Sequence, residues 1–359
     1  MKIEVLKKIL CPYCESKIRI KQIFIKLPGE AIKYGVVSCN CDEYPIVLGI
    51  LYLKKDAGSL LNHQAIVLLK NKRFDQAELL LLQERKKVKF AFRVMYWLKR
   101  VTFLAKVINF EGFLSVLKVV DAGSTPWLTY LQNRYSRPTF WLSLATLSLA
   151  KKDTFLIDIA CGTGDFLVYA ASTLRMRTCI GVDHSFSLLL LARTFKSTKN
   201  ISFICADVEH GLPFYDDSAQ LITVNDAFMY IHRKQLLINE SWRVLSKSGR
   251  LLLTHVHHKE GNNLGQGYAI TLPEMQSYRG TFTVYGATDT ALFKTFSAKQ
   301  QLEYEPIQRL RPAKIDDSYS FLLTKNAFPL PLVVLQKIAT DFNKITIDYT
   351  EEQRLKSHS

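Results

Sequence analysis

The sequence predicts an α/β fold, in which a doubly wound sheet follows a small N-terminal β domain and a helical connecting region. Two observations carry this prediction. Residues 154–159, TFLIDI, form an apolar run without polar alternation, and the turn CGTG and a segment with helical spacing follow it. Residues 17–53 instead contain alternating apolar and polar positions near two close cysteine pairs. Continuous apolar runs are typical of buried parallel strands, and alternation is typical of antiparallel strands.

The composition is that of a globular chain with two or three domains. The chain has 359 residues, of which 48% are hydrophobic and 22% charged, and this balance excludes disorder on a large scale. Its seven cysteines fall into two sets, which favours reduced thiols over a secreted disulfide scaffold. Because no signal peptide and no apolar run of roughly 18 residues is evident, we expect a cytoplasmic protein without a membrane span.

The first cysteine set predicts a zinc ribbon over residues 1–58. The pairs are Cys11 and Cys14 in CPYC, and Cys39 and Cys41 in CNC. Two close pairs separated by a loop are typical of a tetrahedral zinc site, although four buried thiols at this spacing are the alternative. Four thiolates close the coordination shell, so we expect a structural zinc ion that stabilises a small β domain.

Residues 59–134 are predicted to form a helical, basic connecting region. Apolar residues recur there at helical spacing, and Lys86, Lys89, Arg93 and Arg100 would form one stripe of a helix. Residues 1–150 contain 24 Lys and Arg against 11 Asp and Glu, whereas residues 151–359 contain 24 against 21. This basic half predicts either a partner, such as RNA or a protein, or simply a solvated face.

The turn after the apolar run predicts a nucleoside site. Gly162 and Gly164 lie between a strand and a helix, where doubly wound folds bind their ligands, and glycine lets the backbone approach a ligand closely. Asp183 ends the next predicted strand, nineteen residues after Gly164. A carboxylate at that place accepts hydrogen bonds from ribose hydroxyls.

The acidic residues around the turn favour S-adenosylmethionine over a dinucleotide. A dinucleotide site requires a third glycine, but Leu167 occupies that position. Asp165 would place a negative charge where the pyrophosphate binds. S-adenosylmethionine has no phosphate and carries an ammonium and a sulfonium group, so Asp158 and Asp165 would favour it.

Residues 153–258 resemble the class I S-adenosylmethionine-dependent methyltransferases, close to the ubiquinone and menaquinone methyltransferases. The residues LCPYC and CNCDEYPIVLGILYL resemble the small zinc-ribbon activator subunit of tRNA, rRNA and release-factor methyltransferases. The resemblance implies a Rossmann-like, seven-stranded methyltransferase sheet over residues 135–326 and a C-terminal helical extension over 327–359. It further implies these cofactor-binding roles: Asp158, Ala160, Gly162 and Gly164 for the methionine moiety, Asp183 for the ribose, Asp207 and Val208 for the adenine, and Asn225 beneath the sulfur.

Candidate catalytic residues follow the fourth and fifth predicted strands. His255 and His257 share one face of an extended strand because side chains alternate along it, and Asp226 follows the preceding strand. Three interpretations remain open for the histidines: hydrogen-bonded structural residues, a general base or substrate contact, or ligands of a metal ion with a third ligand.

The sequence therefore predicts a methyltransferase that uses S-adenosylmethionine and acts on a small molecule or a carrier-bound biosynthetic intermediate. One alternative is methylation of RNA or of a translation protein, and another is a non-catalytic adaptor. The methylated atom, the general base and the oligomeric state do not follow from the sequence.

Overall fold

The structure is a computed structural model, and it describes the chain outside residues 56–59, 83–89, 91–92, 94–108, 121–124, 152, 197–198, 262–266, 279, 313, 315–316, 327–331 and 343–359. The chain divides into two compact units. Unit 1 comprises Met1–Asn133, Ala160–Ala171 and Cys179–Tyr215, and unit 2 comprises Arg134–Ile159, Ser172–Thr178 and Asp216–Ser359. Most of the predicted basic stripe, namely Lys86, Lys89 and Arg100, lies outside the described residues.

The helices and strands have the following bounds. The helices are α1 (Ile3–Leu6), α2 (Leu60–Lys70), α3 (Phe74–Leu81), α4 (Phe110–Val120), α5 (Thr125–Gln132), α6 (Pro138–Ala145), α7 (Asp165–Ser172), α8 (Phe186–Leu191), α9 (Lys234–Val244), α10 (Leu272–Tyr278) and α11 (Asp289–Lys299). The strands are β1 (Arg19–Leu27), β2 (Ala31–Ser38), β3 (Glu43–Val47), β4 (Ile50–Leu53), β5 (Phe155–Ile159), β6 (Thr178–Asp183), β7 (Ile201–Ala206), β8 (Ala219–Asn225), β9 (Leu245–Val256), β10 (Thr283–Thr288), β11 (Gln301–Leu302), β12 (Glu305–Pro306), β13 (Tyr319–Thr324) and β14 (Leu332–Val333).

Unit 1 joins an antiparallel N-terminal meander to parallel strands. Strands β1 to β4 pair antiparallel in sequence order, as the alternation predicts. Strand β4 then pairs parallel with β7, in the register Ile50↔Phe203 to Leu53↔Ala206, and β7 pairs parallel with β6. All four residues of β4 are buried, which explains why ILYL is apolar on both faces. The N-terminal strands therefore extend the parallel sheet of their unit.

Unit 2 contains the predicted central strand. Strand β5 is buried at every residue and pairs parallel with β8, which pairs parallel with β9. Strand β13 pairs antiparallel with both β9 and β10. The side chain of Thr288 caps α11 by accepting a hydrogen bond from the N–H of Ala291.

Both units thus combine parallel and antiparallel strands with helices, which agrees with the predicted α/β class. The number of seven strands stays a prediction. Helices α2 to α5 occupy the predicted helical region, and residues 336–342 of the C-terminal extension are helical. In the part of the chain that the structure describes, no helix is both long and apolar enough to cross a membrane.

Candidate functional site

The glycine turn of unit 1 is fixed by Asp183 at the end of β6. The N–H of Gly162 donates to Oδ2 of Asp183 at 2.8 Å, and the N–H of Ser185 donates to Oδ1 at 2.8 Å. Asp183 is buried. These two bonds use about half of the roughly four acceptor positions of a carboxylate, so Asp183 can also accept hydroxyl groups of a ligand.

The backbone of the turn explains its glycines. Gly162 and Gly164 have φ of 56° and 72°, in the left-handed region that side chains disfavour. A Cβ atom on Gly164 would lie 3.1 Å from the ring of Phe203. Ala160 has φ of 54° without being glycine, and such strained residues cluster at functional sites. The sequence gives no local signal for the strain at Ala160.

Asp165 does not carry the uncompensated charge that the sequence interpretation assumes. It is buried, its carboxylate forms an ion pair with Lys196, and it accepts a hydrogen bond from the hydroxyl of Thr163 at 2.5 Å. The Lys196 ammonium neutralises the carboxylate, so repulsion of a pyrophosphate by Asp165 is weaker than expected. The argument against a dinucleotide then depends on the missing third glycine.

Asp207 and Val208 lie in the loop after β7, at the predicted adenine side. Oδ1 of Asp207 accepts from the N–H of Glu209 at 3.0 Å and so begins the short 3-10 helix Val208–His210. The N-terminal segment contacts this loop within the same unit. The N–H of Leu10 donates to the carbonyl of Pro213 at 3.1 Å, and the rings of Tyr13 and His210 lie 5.3 Å apart.

Asp158 and Asn225 of unit 2 belong to one buried polar network. Oδ1 of Asp158 accepts from the hydroxyl of Thr223 at 2.7 Å and from the amide of Asn225 at 2.9 Å. Thr254 donates to Oδ1 of Asn225 at 3.0 Å, and its hydroxyl contacts that of Ser143 at 2.8 Å. The network fixes both predicted cofactor residues at the carboxyl ends of β5 and β8.

The predicted catalytic histidines meet two carboxylates. His255 donates from Nδ1 to Oδ2 of Asp289 at 2.7 Å, and its Nε2 lies 3.9 Å from Oδ1 of Asp226. The rings of His255 and His257 are 5.1 Å apart and nearly perpendicular, at 84°. Sequence reasoning named both histidines and Asp226 but missed Asp289, because it begins a helix more than thirty residues later and no local pattern connects the two.

The surroundings move the pKa values of the two histidines apart. Burial lowers the pKa of His255, but the hydrogen bond and charge of Asp289 outweigh it and raise that pKa above its ordinary value. Burial and the neighbouring His255 lower the pKa of His257. His258 has a structural role, since it is buried and its Nε2 lies 3.1 Å from the carbonyl oxygen of Lys314.

The four predicted zinc ligands converge in unit 1. The Sγ–Sγ distances are 3.7 Å for Cys11–Cys41, 3.7 Å for Cys14–Cys39 and 3.4 Å for Cys39–Cys41. Four sulfurs at about 2.3 Å from a tetrahedral zinc ion lie about 3.8 Å apart, so the cluster fits zinc closely. Burial opposes ionisation of Cys14, but hydrogen bonds from Ser16 outweigh it and lower its pKa to about 6.

Comparisons with known proteins find similarity to a methyltransferase domain. Residues 150–309 match a family model described as a methyltransferase domain. The ubiquinone/menaquinone biosynthesis C-methyltransferase UbiE of Campylobacter jejuni is 31% identical over 115 residues, which cover 31% of this chain and 48% of that protein. The malonyl-(acyl-carrier protein) O-methyltransferase of Bacillus cereus is 25% identical over 157 residues, which cover 44% of this chain and 52% of that protein.

The chain thus spans about half the length of the curated relatives it matches. Among solved structures, the complex between the Haloferax volcanii Trm112 methyltransferase activator and a methyltransferase has a TM-score of 0.38 at 14% identity. That match covers 52% of this chain and 91% of the solved chain.

Proposed function

We propose that the protein is an S-adenosylmethionine-dependent methyltransferase that acts on a small molecule or a carrier-bound acceptor. The methyltransferase-domain match over residues 150–309 and the two curated relatives support this class of reaction. The observation that carries the proposal is the pairing of Asp183 with the N–H of Gly162. It holds a buried carboxylate against a glycine turn, as recognition of a ribose beside closely approaching backbone requires.

The cofactor roles expected from the sequence are part of the proposal. Asp183 would bind the ribose, and Asp207 and Val208 the adenine. The remaining residues would hold the methionine part and the sulfonium, namely Asp158, Ala160, Gly162, Gly164 and Asn225. S-adenosylmethionine supplies the methyl group, and the protein's contribution to such an in-line displacement is mainly orientation and exclusion of water. We assign His255 and His257 to the acceptor.

We further propose that Cys11, Cys14, Cys39 and Cys41 hold a structural zinc ion. The sulfur spacing supports it, and four thiolates leave no open position for catalysis. The ion would fix the segment that contacts the loop of Asp207 through Leu10 and Tyr13. Its role in the proposed function is therefore to support the adenine side of unit 1.

Calorimetry with S-adenosylmethionine tests the proposal. We expect micromolar binding to the full chain, and a loss of at least about tenfold in affinity for Asp183→Asn, because charged hydrogen bonds typically contribute about 1.5–3 kcal/mol. Asp153→Asn is the matched control, since the Asp153 side chain is 74% exposed and forms an ion pair with the exposed Arg177. Binding of NADH in place of S-adenosylmethionine, or of neither compound, would contradict the proposal.

The basic N-terminal half supports a second proposal, an anionic partner such as RNA, since residues 1–150 hold 24 Lys and Arg against 11 Asp and Glu. Binding to tRNA that weakens steeply between low and moderate salt would support it. Binding that is undetectable at low salt would leave the small-molecule or carrier-bound acceptor.

A further inference from the structure

We propose that Asp226, His255 and His257 bind a divalent transition-metal ion at the acceptor side of the proposed methyltransferase. Their potential ligand atoms, one on each residue, all lie within 4.8 Å of one another. Two imidazoles and one carboxylate are a donor set that first-row divalent metals bind, with coordination positions left open. The inference rests on the proposed function for its role in catalysis, but the metal site itself does not.

The spacing is close to that of a metal-bound set. Ligand atoms at about 2.1 Å from a shared ion lie about 3.0–3.4 Å from each other. Nε2 of His255 and Oδ1 of Asp226 are already 3.9 Å apart, so a shift of less than an ångström brings them to bonding geometry. The strand alternation expected from the sequence does not hold at this pair, since φ at His255 is 53° and β9 ends at Val256. The two rings nevertheless lie 5.1 Å apart, which brings His257 to the same cluster.

Asp289 provides an independent argument, because it holds His255 in the orientation a metal ligand needs. The bond from Nδ1 of His255 to Asp289 leaves Nε2, the nitrogen nearest Asp226, as the basic atom. Asp289 is itself fixed by the hydroxyl of Ser320, which donates to its Oδ1 at 2.7 Å. A carboxylate behind a ligating histidine sets its tautomer and raises its basicity, and is a recurring feature of metal sites.

The cluster is accessible to an ion and to a further ligand. The side chains of Asp226 and His255 are 22% and 26% exposed, whereas the Asp289 carboxylate behind them is 11% exposed. Three protein ligands leave at least one position, which an oxygen of the acceptor can occupy. The ion is therefore expected to act as a Lewis acid and to require no change of oxidation state.

The proposed step is transfer of a methyl group from the sulfonium to a hydroxyl oxygen of the acceptor. The acceptor hydroxyl loses its proton to solvent when its oxygen binds the ion, since a bound cation lowers the pKa of an oxygen ligand. A lone pair of that oxygen forms the new bond to the methyl carbon. The bond from carbon to sulfur breaks, and its electron pair stays on sulfur, which becomes a neutral thioether.

Metal stoichiometry of the chain, with all 359 residues, tests the inference. After dialysis with Co²⁺, we expect two ions per chain, one with the intense sulfur-to-metal absorption of the thiolate cluster and one with only the weak bands of nitrogen and oxygen ligands. His257→Ala should lose the second ion and keep the first, and Cys14→Ser should do the reverse. Asp153→Asn is the control, because the Asp153 side chain is 74% exposed and Asp153 belongs to neither cluster.

Binding of Mn²⁺ tests the same site in the unmodified protein, where no variant can fold poorly. Mn²⁺ prefers oxygen and nitrogen to thiolate ligands, so its electron paramagnetic resonance signal in the unmodified protein reports this site alone. Asp289→Asn should weaken Mn²⁺ binding about 10- to 100-fold, as loss of such outer carboxylates does. One ion per chain, with a thiolate spectrum and no bound Mn²⁺, would overturn the metal site.

Two measurements distinguish failure of the proposed metal site from failure of the proposed methyltransferase function. Calorimetry on the same samples would show S-adenosylmethionine binding without a second metal if the metal site alone is wrong. Mn²⁺ binding without any response to S-adenosylmethionine would instead keep the metal site and remove the methyltransferase proposal.

Discussion

The cysteine cluster and the histidine–aspartate cluster represent two ways of bringing metal-binding side chains together. Among the described residues, Cys11, Cys14, Cys39 and Cys41 come from two short turns, and each pair is close in sequence. Asp226, His255 and His257 come from the ends of two neighbouring strands, and a third element supplies Asp289. The first set closes the coordination shell and suits structure, whereas the second leaves it open and suits chemistry.

The largest expected effect concerns the cysteine cluster. Cys11→Ser, or removal of zinc with a strong chelator, should lower Tm by at least about 10 °C, because structural zinc contributes folding free energy directly. Thermal unfolding followed by circular dichroism measures it. Cys179→Ser is the matched control, since Cys179 is buried in β6 and is not one of the four clustered cysteines. Equal losses in the two variants would show that the four thiols hold no ion.

Substitutions at the histidine–aspartate cluster should lower activity more than stability. Asp289→Asn is expected to lower kcat for methyl transfer about 10- to 100-fold, because His255 loses the carboxylate that orients it. The Tm should fall by only a few degrees, since the amide still accepts the hydroxyl bond of Ser320. Methyl transfer from radiolabelled cofactor, beside thermal unfolding, separates the two effects. A large fall in Tm with unchanged kcat would make Asp289 a structural residue only.

Two glycines of unit 1 separate the effect of backbone strain from that of a close contact. Gly164 and Gly29 have nearly equal φ, 72° and 74°, but a Cβ would lie 3.1 Å from Phe203 at Gly164 and would meet nothing within 4 Å at Gly29. We expect Gly29→Ala to cost about 1 kcal/mol and Gly164→Ala about 1–2 kcal/mol more. Urea unfolding measures both, and equal losses would contradict the contact with Phe203.

The smallest expected effect links the N-terminal segment to the proposed adenine side. Tyr13→Ala removes the ring beside His210 and should weaken S-adenosylmethionine binding about two- to fivefold, by loosening the loop of Asp207. Tyr13→Phe keeps the ring and removes the hydroxyl that accepts from the N–H of Lys55, so it should bind nearly as the unmodified protein does. Calorimetry that finds equal affinity for Tyr13→Ala would show that the loop needs no such support.

Prediction from the sequence succeeds where the physical cause is local. The strand, turn and helix around Gly162 follow from a buried apolar run, two glycines and helical spacing, and the structure places them at β5 and α7. Asp183 follows from its distance to that turn. The pairing of Asp165 with Lys196 could not be predicted, because the two residues meet only after the chain has passed through another strand and helix.

The sequence by itself determined the glycine turn with its carboxylate and the grouping of the four cysteines, because each depends on residues within one hairpin or one strand–helix–strand unit. Only the tertiary structure decided that β4 pairs parallel with β7 and that Asp226, Asp289 and His255 meet. Such contacts depend on which distant segments become neighbours in a sheet. That choice is made by burial of the whole unit and leaves no spacing in the chain to recognise.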